Sequence, residues 1–211
     1  MRLLLVDTAG PVVGLAGFED GAVVYTASAR VAAGTEAWLG EHLERALAAL
    51  GGLDRVAVTV GPGAFTGVRV GVAAALGAAF ARAVPVAPLS SLSLRAALAP
   101  GEPRVLSLLD ARKGRLYAGW FDTRSPVPRP LGPEVDALPA DDVAGSPGAA
   151  VGEGAAVYAA AVTGAGHRIA PEAAISPVAR GWMLAVATEP TSPEGVGLRY
   201  LREPDARPSL V

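Results

Sequence analysis

Two aspartates follow short apolar runs at positions where they could take part in phosphate chemistry. Asp7 and Thr8 come directly after Leu3–Val6, and Asp110 comes directly after Leu106–Leu109. A carboxylate at the end of a strand can hold a Mg–phosphate group, and the hydroxyl of Thr8 can contact phosphate. The alternative is that each aspartate closes a turn by accepting hydrogen bonds from nearby backbone N–H groups.

A glycine-rich segment between an apolar run and a predicted helix is the second candidate for binding phosphate. Residues 61–69 read Gly-Pro-Gly-Ala-Phe-Thr-Gly-Val-Arg. Free backbone N–H groups and the positive end of the helix dipole would favour an anion here, with Gly61, Gly63, Thr66 and Arg69 as candidate contacts. The spacing fits neither a P-loop nor the dinucleotide fingerprint. The alternative is a tight turn in which Thr66 caps the helix.

The amino-acid composition excludes several classes of metal-binding and catalytic site. The 211 residues include no cysteine and two histidines, His42 and His167, which excludes disulfides, cysteine–zinc sites, thiol catalysis and a histidine-rich metal cluster. No histidine adjoins a nucleophile, so we expect neither a catalytic triad nor any catalytic residue. The formal net charge of −2 argues against a broad basic face that binds nucleic acid.

The elements that must position these residues alternate between strands and helices. The first half is predicted to contain the strands Leu3–Val6, Val12–Phe18, Ala22–Ala29, Arg55–Val60 and Val84–Ala87. Its helices are predicted at Thr35–Leu50, with Thr35 as cap, and at Val68–Ala83, followed by a third helix capped by Ser90 or Ser91.

The second half repeats this pattern in shortened form. Residues 99–103 read Ala-Pro-Gly-Glu-Pro and form the best boundary, which divides the chain into a first lobe, residues 1–99, and a second lobe, residues 100–211. The second lobe is predicted to contain strands at Arg104–Leu109, Arg115–Phe121, Val135–Leu138 and Ala149–Val151. Its helices are predicted near Asp141–Ala144, at Ala155–Val162 and from Pro177 to Thr188.

The helix after the glycine-rich segment carries an unbroken stripe of small residues. The stripe consists of Gly67, Gly71, Ala74, Ala78 and Ala81, with Val72, Leu76 and Phe80 on the opposite face. Two apolar faces mean that the helix is covered on both sides. We expect the large residues to face the chain's own sheet, so that the small face can admit another helix.

That other helix could be the chain's own first helix or belong to a partner protein. In the second case Trp38, His42 and Arg45, which form a stripe on the first helix, would share the docking surface. A lone histidine on a helix is more often a packing or interface residue than a metal ligand, so we assign His42 no metal.

The apolar segments are short for membrane insertion. The first ends at Asp7 after four residues, whereas a signal peptide needs roughly 7–15 apolar residues. The twelve residues Val70–Ala81 fall short of the ~20 needed to cross a bilayer. We therefore expect a cytoplasmic protein that does not associate with a membrane.

Three motifs together resemble the TsaB (YeaZ-type) family. They are Asp7-Thr8-Ala9, the segment from Gly61 to Gly71, and the run from Asp110 to Tyr117, with Tyr200-Leu201-Arg202 similar to the family's closing motif. The resemblance implies an α/β protein of the actin/Hsp70/sugar-kinase-like fold, with two related lobes of which the second is reduced. It also implies that the partner surface comes from the first two helices.

The function implied by this resemblance is that of a non-catalytic subunit. It would bind and activate TsaD, in a larger complex with TsaE, for threonylcarbamoyladenosine formation on the tRNA adenosine beside the anticodon. The chain would require no cofactor, although a nucleotide could lie at the partner interface, and it would contact tRNA through the complex and form a homodimer when alone. The alternatives are a stand-alone small-molecule kinase or ATPase of the same fold and a glycoprotease-like peptidase. The related TsaD uses a histidine pair on its first long helix for metal, and this chain has only His42 there, so no metal is implied.

Overall fold

The computed structural model describes residues 1–139, 143, 145–171 and 176–202, which form two β-sheets with helices packed on them. The first sheet has the order β3-β2-β1-β4-β5, in which the β3–β2–β1 part is antiparallel and the β1–β4–β5 part is parallel. Its strands are β1 Arg2–Asp7, β2 Val12–Glu19, β3 Ala22–Arg30, β4 Arg55–Gly61 and β5 Val86–Ser90.

Two long helices cover one face of this sheet, whose strands β1 and β4 are apolar on both faces. Helices α1, Thr35–Leu50, and α2, Phe65–Arg82, share a core with Leu4 and Val6 of β1. The opposite face carries Leu3 and Leu5, which pack with α3, Ser91–Ala96. A strand buried on both faces is typical of a parallel sheet.

The second sheet repeats the first with shorter elements. Its order is β11-β10-β6-β7-β8, with β9 also paired to β7. The β6–β7 hairpin is antiparallel, β10 and β11 run parallel to β6, and β8 and β9 run antiparallel to β7. The strands are β6 Val105–Arg112, β7 Arg115–Asp122, β8 Arg129–Pro130, β9 Val135–Ala137, β10 Ala149–Val151 and β11 Arg168–Ile169. This confirms the predicted pair of related lobes with a reduced second member.

Helix α3 lies between the two sheets. Its Leu94 packs with the first sheet, whereas Leu92 and Ala96 pack with the second. The outer face of the second sheet is covered by α4, Glu153–Val157, and α5, Ala159–Gly164.

The last described segment returns to the first sheet. A 3-10 turn at Val178–Arg180 and helix α6, Trp182–Ala187, pack on its α3 side, and Thr191 bridges to Val86 at its edge. The boundary between residues 99 and 100 stays a prediction. The part of the chain after residue 176, however, contributes its apolar side chains chiefly to the core of the first sheet.

Several predicted helix ends differ from the structure. Thr35 does not cap α1, because Gly34 in a left-handed conformation with φ of 78° occupies the cap position. Thr66 does not cap α2, because that helix starts at Phe65 after Ala64. Ser90 does cap α3, since its Oγ accepts a hydrogen bond from the N–H of Ser93.

Two other predicted helices belong to the second half of the chain. The helix predicted from Pro177 to Thr188 is interrupted at Gly181, which lies between a 3-10 turn and a helix. A Cβ at Gly181 would lie 2.4 Å from Leu5 Cδ1, so the chain approaches the sheet closely there. The helix predicted near Asp141–Ala144 lies outside the described residues apart from Val143.

Helix α2 is longer than the predicted apolar run of twelve residues. Its 18 residues are enough, by length and composition, for a membrane span, and it is the one such helix in the described part of the chain. It packs on β1 and β4 through Val68, Val72 and Ala75, so its apolar character is also that of a core helix.

Candidate functional site

Asp7 lies at the carboxyl end of β1, where it is buried and bonded to other residues of the chain. One carboxylate oxygen, Oδ1, accepts hydrogen bonds from the hydroxyl of Thr59 at 2.7 Å and from the N–H of Ala9 at 3.2 Å. The other, Oδ2, lies 3.1 Å from a guanidinium nitrogen of Arg95. The position predicted to face a Mg–phosphate group thus faces a cation of the chain itself.

Arg95 joins the two lobes through a buried charge cluster. Its side chain lies on α3 and is wholly buried. It forms a bidentate ion pair with Glu153, with hydrogen bonds of 2.7 Å and 3.0 Å, and it also contacts Asp7. Burial lowers the pKa of Arg95, but the charges and hydrogen bonds of Asp7 and Glu153 more than offset this, so its pKa lies above the ordinary value. Arg95 is therefore a permanent cation between β1 and α4.

The glycine-rich segment closes onto the turn between β1 and β2. The N–H of Ala64 donates to the carbonyl of Ala9 at 2.8 Å, and a Cβ at Gly63 would lie 2.4 Å from the same oxygen. The hydroxyl of Thr8 donates to the carbonyl of Gly67 at 2.7 Å. Of the groups predicted to hold phosphate, Thr8 and the glycine-rich segment thus lie together, and the hydroxyl of Thr8 is bonded within the chain.

A segment near the end of the described chain covers the mouth of this cleft. The N–H of Arg199 donates to the carbonyl of Val60 at 2.8 Å, and its guanidinium lies 3.0 Å from Glu134. Gly61 has a φ of 115°, and a Cβ there would lie 2.2 Å from the carbonyl oxygen of Arg199, so only glycine fits. Leu201 then packs on the core of the second sheet.

Asp110 is the counterpart of Asp7 in the second sheet, but its surroundings differ. It is half-buried, and its Oδ1 accepts hydrogen bonds from the N–H of Arg112 at 2.8 Å and from the hydroxyl of Tyr158 at 3.3 Å. Burial comes first among the causes that raise the pKa of Tyr158, followed by the charge of Asp110. Asp110 thus closes its turn, as the alternative interpretation proposed.

Arg69 and Thr66 lie outside the cleft, on the exposed side of α2. The guanidinium of Arg69 stacks 3.6 Å from the ring centre of Phe65, and its Nε donates to the hydroxyl of Tyr200 at 3.0 Å. The rings of Phe65 and Tyr200 are 5.0 Å apart. This cluster fastens the end of the described chain to α2 rather than pointing into the cleft.

The predicted division of α2 into a small docking face and a large core face is wrong. Gly71 and Ala78 are buried, and a Cβ at Gly71 would lie 2.1 Å from Oγ1 of Thr8. Phe80, predicted to face the sheet, is 55% exposed. The error arises because both faces are apolar, so periodicity cannot say which one the sheet covers.

The exposed stripe of α2 is rotated from the predicted one. It consists of Arg69, Ala73, Gly77, Phe80 and Ala81, flanked by the half-buried Val70 and Ala74. Gly77 stands in open space, since a Cβ there would meet no atom within 4 Å. Of the predicted docking residues on α2, Ala81 belongs to this stripe, Ala74 flanks it, and the half-buried Gly67 packs on Thr8.

The three docking residues predicted on α1 are all at least partly exposed. Trp38 and His42 are half-buried and their rings are 4.4 Å apart, and His42 Nδ1 hydrogen-bonds to the hydroxyl of Tyr25 at 2.6 Å. Arg45 pairs with Glu41 at 2.7 Å and both are exposed. Whether any of these residues binds a partner stays a prediction.

Sequence reasoning missed the cation at the centre of the cleft. Arg95 is the one charged residue between Arg82 and Glu102, in a stretch that is otherwise small or apolar. An isolated charge in such a helix signals a buried pair, because an unpaired charge would be too costly to bury. Glu153 and Glu134 carried no comparable signal, since each follows glycine or proline in a segment that reads as loop.

Comparison with known proteins identifies relatives of this chain. The family model for TsaD, tRNA N6-adenosine threonylcarbamoyltransferase, matches residues 25–136. The uncharacterized protein ML0378 of Mycobacterium leprae is 33% identical over 98% of this chain and 56% of its own length. The tRNA threonylcarbamoyladenosine biosynthesis protein TsaB of Escherichia coli is 34% identical over 56% of this chain and 53% of its own length.

The chain spans about half the length of these two curated relatives. The solved structure of YeaZ from Pseudomonas aeruginosa is 23% identical, covers 95% of this chain and 99% of its own, and superimposes with a TM-score of 0.77. The chain thus belongs to the TsaB (YeaZ-type) family, and its fold is the two-lobed actin/Hsp70/sugar-kinase-like fold with a reduced second lobe.

Proposed function

We propose that this chain is a non-catalytic subunit that binds a TsaD-type subunit and activates its threonylcarbamoyl transfer to tRNA. The observation that carries the proposal is the state of the cleft between the lobes. Asp7 is held by Arg95, and the glycine-rich segment is held by Ala9 and Arg199. A cleft whose polar groups already bond to one another offers little to a nucleotide.

The contacts of Asp7 and of the glycine-rich segment also disfavour the alternative of a stand-alone kinase or ATPase. Such an enzyme needs groups that are free to hold Mg²⁺ and phosphate, whereas the carboxylate of Asp7 is buried against a guanidinium. The peptidase alternative needs a histidine base that is hydrogen-bonded to a nucleophile such as a serine hydroxyl. His42 bonds to Tyr25, and His167 bonds to the carbonyl of Val143 and to the N–H of Gly148.

The surface formed by α1 and α2 supports a docking role. Phe80 and Ala81 expose apolar atoms at one end of α2, and Gly77 leaves a flat place where a partner's backbone could approach closely. Trp38 lies on the neighbouring helix, and aromatic residues are enriched at protein interfaces. This surface would act by contacting one conformation of the TsaD-type subunit better than another.

The assembly would supply what this chain lacks. A TsaE-type subunit and tRNA would join through the TsaD-type subunit, and a nucleotide could lie at the interface between the two related subunits. No cofactor need bind to this chain alone. A complex that modifies tRNA would act in the cytoplasm.

Co-purification with a TsaD-type subunit tests the docking surface. Gly77→Arg should weaken the complex at least tenfold and lower the rate of tRNA modification, because the new side chain occupies the flat part of α2. The isolated variant should fold, since Gly77 is exposed and arginine favours a helix more than glycine does. Ala160→Arg, at an exposed position of α5, is the matched control and should leave the complex intact.

Two results would contradict the proposal. One is normal binding by Gly77→Arg, which would remove the docking site from α2. The other is tight ATP binding by the isolated chain that is lost on Asp7→Ala, which would show a working cleft.

A further inference from the structure

Arg69 is the first residue of the exposed stripe of α2, and two aromatic rings hold its guanidinium in place. The guanidinium lies 3.6 Å from the centre of the Phe65 ring and 5.9 Å from that of the Tyr200 ring. Its Nε donates to the hydroxyl of Tyr200 at 3.0 Å. A guanidinium has five N–H donors, so this arrangement fixes the group while most of its donors remain for another acceptor.

Arg69 differs from the arginines whose charge is neutralised within the chain. A carboxylate lies within ion-pair distance of Arg2, Arg45, Arg115, Arg124, Arg168 and Arg199. Among the described residues, no carboxylate pairs with Arg69, whose partners are the two rings and a hydroxyl. Its positive charge is therefore fixed in position on an exposed helix face, and no described residue compensates it.

Tyr200 is itself held by its neighbours in the chain as well as by α2. The preceding residue, Arg199, donates its N–H to a carbonyl of β4 and pairs with Glu134 of the second lobe. The following residue, Leu201, packs on the core of the second sheet. The hydroxyl of Tyr200 is thus presented to Arg69 by a segment that is anchored on both lobes.

We propose that Arg69 binds an acidic side chain of the TsaD-type subunit, and that Tyr200 is a positioning residue that holds the guanidinium ready for this carboxylate. The inference rests on the proposed function, in which the exposed stripe of α2 is part of the docking surface. Arg69 lies about 12 Å along the helix from Gly77, at 1.5 Å per residue, so a single partner can cover both. Arginine and tyrosine are also enriched among the residues that dominate binding at interfaces.

A carboxylate is the acceptor that matches this cation. Two N–H groups of a guanidinium can bond both oxygens of one carboxylate, which gives the contact a defined geometry as well as a favourable charge. Because the rings already hold the side chain of Arg69, little conformational entropy is lost when the partner binds. The contact would therefore select a partner whose surface places an acid opposite the first turns of α2.

Titration with the TsaD-type subunit at several salt concentrations tests the contact. Arg69→Gln should weaken binding by about tenfold or more, because the carboxylate of the partner would be buried without its cation. The affinity of the wild type should also fall more steeply with salt than that of Arg69→Gln. Arg129→Gln removes the same charge from an exposed position of the second lobe and is the matched control, with unchanged affinity expected.

Tyr200→Phe tests the positioning role, because phenylalanine keeps the ring beside Phe65 but removes the hydroxyl. This variant should weaken binding about two- to tenfold, which corresponds to the loss of one hydrogen bond. In the background of Arg69→Gln the same substitution should have no further effect on affinity, because Tyr200 acts through Arg69. A tyrosine that merely fastened the end of the described chain would change the melting temperature and leave the affinity unchanged.

The outcomes that overturn the inference differ from those that overturn the proposed function. Normal affinity of Arg69→Gln, where Gly77→Arg breaks the complex, removes this contact while the docking surface stands. Additive effects of Arg69→Gln and Tyr200→Phe on affinity remove the positioning role. If Arg69→Gln abolishes self-association but not binding of the TsaD-type subunit, the acid belongs to a second copy and the inference is wrong. Absence of any complex with the wild type overturns the proposed function, and this contact with it.

Discussion

The substitution Arg95→Met tests the central claim about the cleft, which is that a buried cation of the chain neutralises the acids of both lobes. Methionine keeps much of the side-chain length but removes the charge. Asp7 and Glu153 would then be left as two carboxylates, 0% and 3% exposed, without the cation that faces them. The expected result is a large loss of stability in a protein whose surface is unchanged.

The expected loss in the free energy of unfolding can be worked out from the burial of Asp7 and Glu153. Removing one partner of a buried ion pair costs about 3–5 kcal/mol, because the remaining charge stays out of water. The free energy of unfolding of a typical domain is about 5–15 kcal/mol, so Arg95→Met should remove a large part of it. With a urea slope of about 2 kcal/mol per molar, the midpoint of unfolding should fall by about 1.5–2.5 M.

Urea unfolding followed by circular dichroism measures the effect, and a neutral triple variant supplies the control. Asp7→Asn, Glu153→Gln and Arg95→Met together replace the three charges by groups of similar shape. Because a buried amide costs less than a buried carboxylate without a counter-charge, the triple variant should recover part of the loss. Asp7→Asn should keep its hydrogen bonds with Thr59 and Ala9 within reach.

Two outcomes would refute this reasoning. If Arg95→Met lowers the free energy of unfolding by less than about 1 kcal/mol, the carboxylates do not depend on Arg95. If the triple variant is as unstable as Arg95→Met, the loss comes from packing around α3 and not from charge.

Two further predictions concern single positions near the cleft. Gly71→Leu should lower the free energy of unfolding by about 1–3 kcal/mol or more, because a Cβ at this position would lie 2.1 Å from Oγ1 of Thr8. Gly77→Ala, on the exposed side of the same helix, should raise the free energy of unfolding by up to about 1 kcal/mol. Equal melting temperatures for the two variants would contradict the placement of α2. Burial raises the pKa of Glu134 above 4.5 despite Ser90 and Arg199, so its contribution to stability is present at low pH and is lost as the pH rises through the raised pKa. Melting curves from acid to neutral pH should therefore show wild type losing stability relative to Glu134→Gln as the pH rises, and a constant difference would contradict this.

Much of the fold could be predicted from the sequence, because strands and turns leave a local record. The turn Asp20-Gly21 has both residues at positive φ, as the dipeptide predicts for a hairpin. The two long helices and the succession of the longer strands along the chain were also predicted, whereas the two-residue strands β8 and β11 were not. What failed was the choice of cap at Thr35 and Thr66, where residue type favoured threonine but the chain direction placed Gly34 and Ala64 at the caps.

The candidate site was predicted as a set of positions but not as an arrangement of contacts. Asp7, Thr8 and the glycine-rich segment do meet, because the carboxyl ends of neighbouring parallel strands share one edge of the sheet. Their partners come from far along the chain, at Arg95, Glu153 and Arg199, and no local pattern links residues so distant in sequence. The orientation of α2 failed for a related reason, since small residues suit close packing on Thr8 as well as on a partner.

The contrast between Asp7 and Asp110 shows how two similar lobes came to have different properties at equivalent positions. Each aspartate lies near the end of the strand that pairs both with a hairpin partner and with a parallel neighbour. Asp7 is fully buried against Arg95, while Asp110 is half-buried against Tyr158. The difference is due to α3, because a single helix lies between the sheets and its one cation can reach the acid of the first strand and the start of α4. A cleft closed in this way ties the two lobes to each other, while the α1–α2 surface proposed for docking stays exposed on the first lobe.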